Sequence, residues 1–404
     1  MGSYIGFYLA FPIFPTIFLN PSFDFLSPTT SISTRNILLG ITYASYYSGS
    51  FLGTPIIGSL SDRWGRKKVL SSTFLICGLM YLLSGISLNY SGLPMLIILR
   101  FLTGFFDGCY SLAYSTLITL EKNESRKTSN LEFWSTIFIN TGWILGSYVG
   151  WNLITLTSIT KKSLGYSFFA SSLVYTLCFM VIHIFYKETS SPRHKIRDNK
   201  KMPFFRIHKI FEKNSLTPIF ISNTTFYAAT FTFTSYIPLF LMNKYRFQTT
   251  LIGTVETFLS ISYCFAPFTY WIYLKWFCRK QIMLISSLGT FLSLALFLLF
   301  HLQGHFWIYI FLISYFSALG FSFSFFLVAD HCPENEHGEA LGIGQSLFTF
   351  IDASMSLIIG LLAALWVYLP IFLSLIFSVI STLWILTKVL NYPIYRRLTL
   401  FLQK

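Results

Sequence analysis

A chain of 404 residues with 54% hydrophobic and only 11% charged side chains, at a mean hydropathy of +0.61, is no soluble enzyme, because soluble domains carry about 25% charged residues. The net charge of +14 does not indicate nucleic acid, since the cations are dispersed through short connectors and not clustered on a polar surface. Six cysteines, mostly inside apolar runs and without CxxC or His-Cys spacing, argue against disulfides and structural zinc.

Apolar runs predict twelve membrane-spanning helices, at about 4–20, 36–60, 69–88, 93–118, 131–156, 164–186, 216–242, 250–274, 281–301, 306–329, 339–365 and 367–390. At about 1.5 Å rise per residue these lengths suit a hydrocarbon core of about 30 Å, the first run being short. That first run has no basic leader and no small-residue cleavage site, so it reads as a span kinked by Pro12 and Pro15, not as a signal peptide. With no charged tail before it, an unusual or truncated start is expected.

An even number of spans puts both termini on one side. The connectors on that side hold twenty-three lysines and arginines against five on the other, Arg35 among the five, with Arg100 left inside a span. This predicts a multi-pass protein of the inner or plasma membrane with both termini cytoplasmic. The longest polar segment divides the spans six and six. It predicts an N-terminal bundle over 1–186, a cytoplasmic linker over 187–215, a C-terminal bundle over 216–390 and a cytoplasmic tail over 391–404. In the linker Phe204, Phe205, Ile207, Ile210 and Phe211 alternate with Arg206, Lys209 and Lys213, which reads either as an amphipathic helix on the membrane surface or as a solvated connector.

Between the second and third runs lies GSLSDRWGRKKVL, Gly58 to Leu70, whose Arg63, Arg66, Lys67 and Lys68 hold a tight hairpin turn on the cationic side. Gly58 is expected to permit close helix contact and Gly65 a tight backbone turn. Asp62 is a lone anion among cations, placed to pair with them or with the N-terminal end of a neighbouring helix. The pattern Gly58, Leu60, Asp62, Arg63, Gly65, Arg66, Lys67 resembles the loop between helices 2 and 3 of the major facilitator superfamily of secondary transporters. The resemblance implies an all-α integral membrane fold of twelve transmembrane helices in two pseudo-symmetric six-helix bundles, around a central cavity lined mainly by spans 1, 4, 7 and 10. It also implies that the aspartate locks the two halves together in the outward-facing state. The corresponding stretch of the second half, Leu274 to Lys280, keeps the basic residues but lacks the glycines and the aspartate.

Ionisable residues inside spans are costly to place, so each is a functional candidate. Arg100 in span 4 is followed one turn later by Gly104, an R-x-x-x-G arrangement that resembles the superfamily's span-4 motif. In that motif the arginine faces the cavity and helps to handle protons or anionic substrate. Asp107 falls about 20° from the face of Arg100, two turns on, so the two can offset each other's burial directly or through a polar bridge. They are transport groups on one reading and a structural ion pair on the other. Glu256 in span 8 and Asp352 in span 11 are suited to carrying a proton, or to a plain interhelical hydrogen bond. By analogy with the family Glu121 pairs with loop arginines; otherwise it is an exposed loop acid.

Gly142, Gly146 and Gly150 form a small-residue stripe for helix packing. In drug/proton antiporters this span carries a glycine-proline motif, and Ser147 stands where that proline would be. The stretch His337 to Ser346 also resembles that branch. Asn223, Tyr227 and Thr230, with Thr224 and Thr234, are expected to offer polar lining to a cavity. The acidic connector with Asp330 and Glu336 is expected to pair with basic loops across the cytoplasmic gate. His331, Cys332 and His337 match no ligand spacing, so no metal and no cofactor are expected.

These features predict a monomeric secondary transporter, not an enzyme, that moves a small organic solute across a lipid bilayer by alternating access, coupled to protons. Efflux is the first expectation, because span 2, the loop and span 4 look most like drug/proton antiporters. Proton-coupled uptake of a nutrient or organic anion is the alternative, on the strength of Arg100 and the missing proline. A transporter-shaped receptor or interaction protein is the third.

Overall fold

The computed structural model describes residues 1–19, 25–27, 29–90, 92–107, 128–156, 161–186, 188, 216–245, 249–300, 305–331 and 337–390. Its elements are helices: α1 (Gly2–Ala10), α2 (Ile13–Leu19), α3 (Ile32–Trp64), α4 (Arg66–Tyr90), α5 (Gly92–Phe106), α6 (Thr128–Leu156), α7 (Lys161–Phe185), α8 (Thr217–Tyr245), α9 (Thr249–Trp276), α10 (Arg279–Phe300), α11 (Phe306–Asp330), α12 (His337–Leu365) and α13 (Leu369–Trp384), the last running on into a π-helical turn, Ile385–Val389. With α1 and α2 taken as one interrupted span these make twelve, and, the far end of the fourth apart, the predicted runs coincide with them to within about a turn at each end. The second half of the predicted fourth span, Glu121, nearly all of the linker, and the tail lie outside the described residues.

Eight of these segments are long and apolar enough to cross a membrane, and α5 is apolar but shorter. The others, α3, α6 and α8, are rich in Thr, Ser and Asn, and many of these side chains turn back onto their own helix. Thr42 donates to Leu38 O at 2.8 Å, Thr141 to Ile137 O at 2.8 Å and Thr224 to Phe220 O at 2.7 Å. Each such bond satisfies a hydroxyl without water.

The breaks between helices have local causes. Pro12 has no N–H to continue α1, whereas Pro15 falls in the first turn of α2, where none is needed. Ser31 caps α3 by accepting from Thr34 N at 3.1 Å. Arg35, counted above among the connector cations, is buried. It donates to Thr30 O at 3.1 Å and to Phe18 O and Ser27 O at 3.0 Å, tying the connector down. Gly65, at φ +92°, is the single residue between α3 and α4. Just past α7, Glu188 accepts from Arg66 N at 3.1 Å and Lys67 N at 3.0 Å, so one carboxylate caps α4 where backbone N–H groups lack helical partners. A Cβ on Gly65 would fall 2.7 Å from Glu188 Oε2, so glycine serves the cap as well as the turn.

The chain forms two compact units. The first takes residues 1–202, 235–260 and 352–369, hence all of α1–α7 with parts of α8, α9 and α12. In it α1 packs on α6 and α7, α4 on α5 and α7, and α3 on α5. The contacts run backbone to backbone. A Cβ on Gly104 would lie 1.9 Å from Tyr46 O, and one on Gly53 1.9 Å from Phe105 O. Gly142, Gly146 and Gly150 seat α6 against α1, with Met1 O, Ile5 O and Leu9 O at 2.8, 2.7 and 2.6 Å from where their Cβ atoms would be. Gly58 differs: among the described residues nothing lies within 4 Å of a Cβ placed there, so they do not give it the close helix contact expected of it.

The second unit comprises residues 203–234, 261–351 and 370–404. Leu216, Phe220, Phe226, Met283 and Ile385 form one core cluster, and Ala266, Ile282, Leu319 and Phe323 another. From α13, Ser374, Ser378 and Ser381 donate to Ala229 O, Ser287 O and Ser222 O at 2.6, 3.4 and 3.3 Å. Asp330 pairs with Arg279, one connector away in its own unit, and that guanidinium also lies 5.0 Å over the Phe326 ring.

The two glycines of the sequence motifs should therefore respond in opposite ways. Gly104→Val, which must push α5 off α3, is expected to lower the thermal midpoint in detergent as overpacking of about 1–3 kcal/mol does. Gly58→Ala is expected to leave it unchanged or raise it slightly, since alanine is the better helix former by up to about 1 kcal/mol. Equal losses at both positions would contradict this packing.

Candidate functional site

The site is built around Arg100, on α5. It is 1% exposed, and its guanidinium carbon lies over four rings: Tyr46 at 4.5 Å, Phe14 at 4.9 Å, Phe7 at 5.8 Å and Tyr81 at 5.9 Å. One ring comes from each of α1–α4, and each turns its negative face to the cation. Nε and Nη1 have no hydrogen-bond partner among the described residues.

Asp107 follows the last residue of α5. Tyr46 donates to its Oδ2 at 2.5 Å and Tyr175 to its Oδ1 at 2.9 Å. Arg100 and Asp107 are thus linked through the Tyr46 side chain, the polar bridge that their two-turn spacing allows.

Glu256, on α9, is 5% exposed and accepts from Trp151 Nε1 at 3.2 Å. Gly253, one turn earlier, makes room for the indole: a Cβ there would fall 2.3 Å from the ring. Asp352, on α12, is buried. Tyr43, Tyr46 and Tyr47 are spaced i, i+3, i+4 on one face of α3, and each lies within electrostatic reach of Arg100 and of one acid, respectively Glu256, Asp107 and Asp352. The first unit thus brings together all four candidates expected to handle charge.

Asn223, Tyr227 and Thr230 lie apart, in the second unit. Asn223 Nδ2 donates to Ser324 O at 2.9 Å, while its Oδ1 has no partner among the described residues. Asn223 borders a small pocket with Phe220, Thr224, Phe325, Gly344 and Phe348, and the Tyr227 ring stacks on Phe348 at 4.3 Å. Thr230 donates to Tyr227 O at 3.0 Å and is buried, so its hydroxyl is engaged by its own helix. Of the motif turn, Arg63 and Lys68 are exposed, and Asp62 stands in the last turn of α3. Among the described residues no three His, Cys, Asp or Glu side chains gather as metal ligands would.

The tyrosines, Trp151 and Glu188 are residues that reasoning from sequence misses. A run of tyrosines at helical spacing and a tryptophan beside the Gly150 stripe are the signals that could have found the first two.

Several known proteins are similar to this chain. The multidrug resistance protein MdtG of Escherichia fergusonii is 29% identical over 167 residues, 41% of this chain and 38% of that protein. The class H tetracycline resistance protein of Pasteurella multocida is 27% identical over 213 residues, 50% of this chain and 48% of that one. The matched stretches thus span less than half the length of these relatives. Among solved structures, the human organic anion transporter MFSD10 (TETRAN) superposes with a TM-score of 0.71 at 15% identity, covering 95% of this chain and 96% of that one. A D-xylose-proton symporter superposes at 0.65 and 16%, covering 96% of each. These likenesses establish the fold. The family model of the Major Facilitator Superfamily matches residues 1–351, more than four fifths of the sequence, and the chain belongs to that family.

Proposed function

We propose that this protein is a secondary active transporter, not an enzyme, that exports a small organic solute in exchange for protons, working as a monomer without a cofactor. The observation that carries the reading is the gathering of the buried Arg100, Glu256 and Asp352 and the partly buried Asp107 within one unit of helices. Ionisable groups at such depth are costly to retain, and acids set among rings suit a cycle in which a proton is taken up and released. In this reading Glu256 and Asp352 exchange protons, while Arg100 and Asp107 set the local charge. The partial likeness to drug and tetracycline resistance proteins supports export of amphipathic or aromatic cargo.

The bundles over 1–186 and 216–390 rock about the linker over 187–215, gated at the turn from Gly58 to Lys67. By the positive-inside rule that turn, the Lys275 to Lys280 connector and both termini face the cytoplasm. Symport of an organic anion is the second reading, favoured by the two Arg100 nitrogens that have no hydrogen-bond partner among the described residues and by Ser147 in place of proline.

In proteoliposomes with an imposed pH gradient, the full chain is expected to move ethidium or tetracycline opposite to the protons, at a rate that falls roughly tenfold or more when a protonophore collapses the gradient. Cargo travelling with the protons would support symport, and a rate indifferent to the gradient would refute coupling. Glu256→Gln keeps an acceptor for the Trp151 indole but has no proton to exchange. It is expected to lose gradient-driven transport while retaining its thermal midpoint. For orientation, the free and exposed Cys278, between α9 and α10, is expected to react with a membrane-impermeant maleimide in inside-out vesicles and not in right-side-out ones; the reverse would invert the topology.

A further inference from the structure

Arg100 and Asp107 belong to a closed circuit of side chains. On one side Tyr46 carries both links, its ring 4.5 Å from the Arg100 guanidinium carbon and its hydroxyl donating to Asp107 at 2.5 Å. On the other side Tyr175 donates to Asp107 at 2.9 Å and stacks on Tyr81 at 5.1 Å, and Tyr81 faces Arg100 at 5.9 Å. A cation is attracted to the electron-rich face of a ring. A phenol proton drawn toward a carboxylate makes that ring richer, so the two contacts of Tyr46 strengthen each other.

Tyr46 is itself held on two sides. Its carbonyl sits where the missing Cβ of Gly104 would be, and its ring lies 4.8 Å from that of Phe7. It cannot shift without moving α5. Among the described residues, the titratable and charged groups that act on Asp107 or on its two phenol donors include Arg100 of α5, Tyr46 of α3, Tyr81 and Cys77 of α4, and Tyr175 of α7.

Resting on the proton-coupled reading above, we propose that Tyr46 is the positioning residue through which Arg100 and Asp107 act as one unit, its ring holding the cation and its hydroxyl the anion. Hydroxyl and carboxylate then serve one function, and removing either breaks the same link.

The test is a double-mutant cycle in proteoliposomes, with ethidium as cargo and an imposed pH gradient. Tyr46→Phe, which keeps the ring, and Asp107→Asn are each expected to lower the maximal rate roughly tenfold with little change in KM, and the double variant to be no worse than the poorer single one. Tyr46→Leu, which removes ring and hydroxyl together, is expected to lose more than Tyr46→Phe. A Tyr46→Phe protein with the wild-type rate, or losses that multiply in the double variant, would overturn the proposal. If the wild type moves no ethidium under the gradient, the export reading fails, and the same cycle is read by thermal unfolding in detergent. There, shifts that do not add uphold the link and additive shifts overturn it.

Discussion

A guanidinium at 1% exposure inside apolar helices has to be balanced, because breaking the compensation of a buried charge costs on the order of 3–5 kcal/mol. Here the balance is distributed. Four ring faces take part of it, and Asp107 takes part through the Tyr46 hydroxyl. Phe7, Phe14, Tyr46, Tyr81 and Tyr175 come from α1, α2, α3, α4 and α7, so the demand of one side chain on α5 fixes how five other helices present their faces. No two of these residues are neighbours in sequence.

Such an arrangement requires helix axes closer than ordinary side chains allow. Lipid gives helices no hydrophobic reason to associate, which leaves close packing and polar contacts to hold them. The first unit uses glycine: Gly104 lets α5 touch the Tyr46 carbonyl, and Gly142, Gly146 and Gly150 let α6 touch α1. The second unit leans on hydroxyls, with Ser374, Ser378 and Ser381 bonding to carbonyls of α8 and α10. The backbone contacts come first in the causal order, since the circuit around Arg100 closes only where α3 and α5 meet at Gly104.

The helices were legible because hydropathy runs along the chain, and a span must be apolar wherever it ends up in space. Contacts are not legible in that way. Gly58 and Gly104 look alike as motif glycines, yet among the described residues one meets nothing and the other a carbonyl, because a motif does not say which face of its helix meets a partner. Arg35 has the sequence of a loop cation, but Phe18, Ser27 and Thr30 bring three carbonyls to it from residues that hydropathy leaves unmarked. Arg100 and Asp107 could be placed on one face by counting residues, whereas the groups that join them could not. In a chain that is 19% aromatic, nothing local separates Tyr46, Tyr175 or Trp151 from rings that face lipid.

The two best-defined acids differ in a way that bears on their roles. Both oxygens of Asp107 accept from phenols, and the same carboxylate is part of the balance of Arg100. Adding a proton there would disturb two hydrogen bonds and the compensation of a buried cation at once. Glu256 accepts from Trp151 through one oxygen, and no other donor among the described residues reaches its carboxylate. Its second oxygen can gain or lose a proton while the indole contact stays made. The residue that exchanges with solvent in a transport cycle has to change state without dismantling what holds it, and the residue that holds a cation in place has to stay as it is. In the proposed cycle that criterion assigns exchange to Glu256 and constancy to Asp107, although the chain alone presents them as equivalent carboxylates within spans.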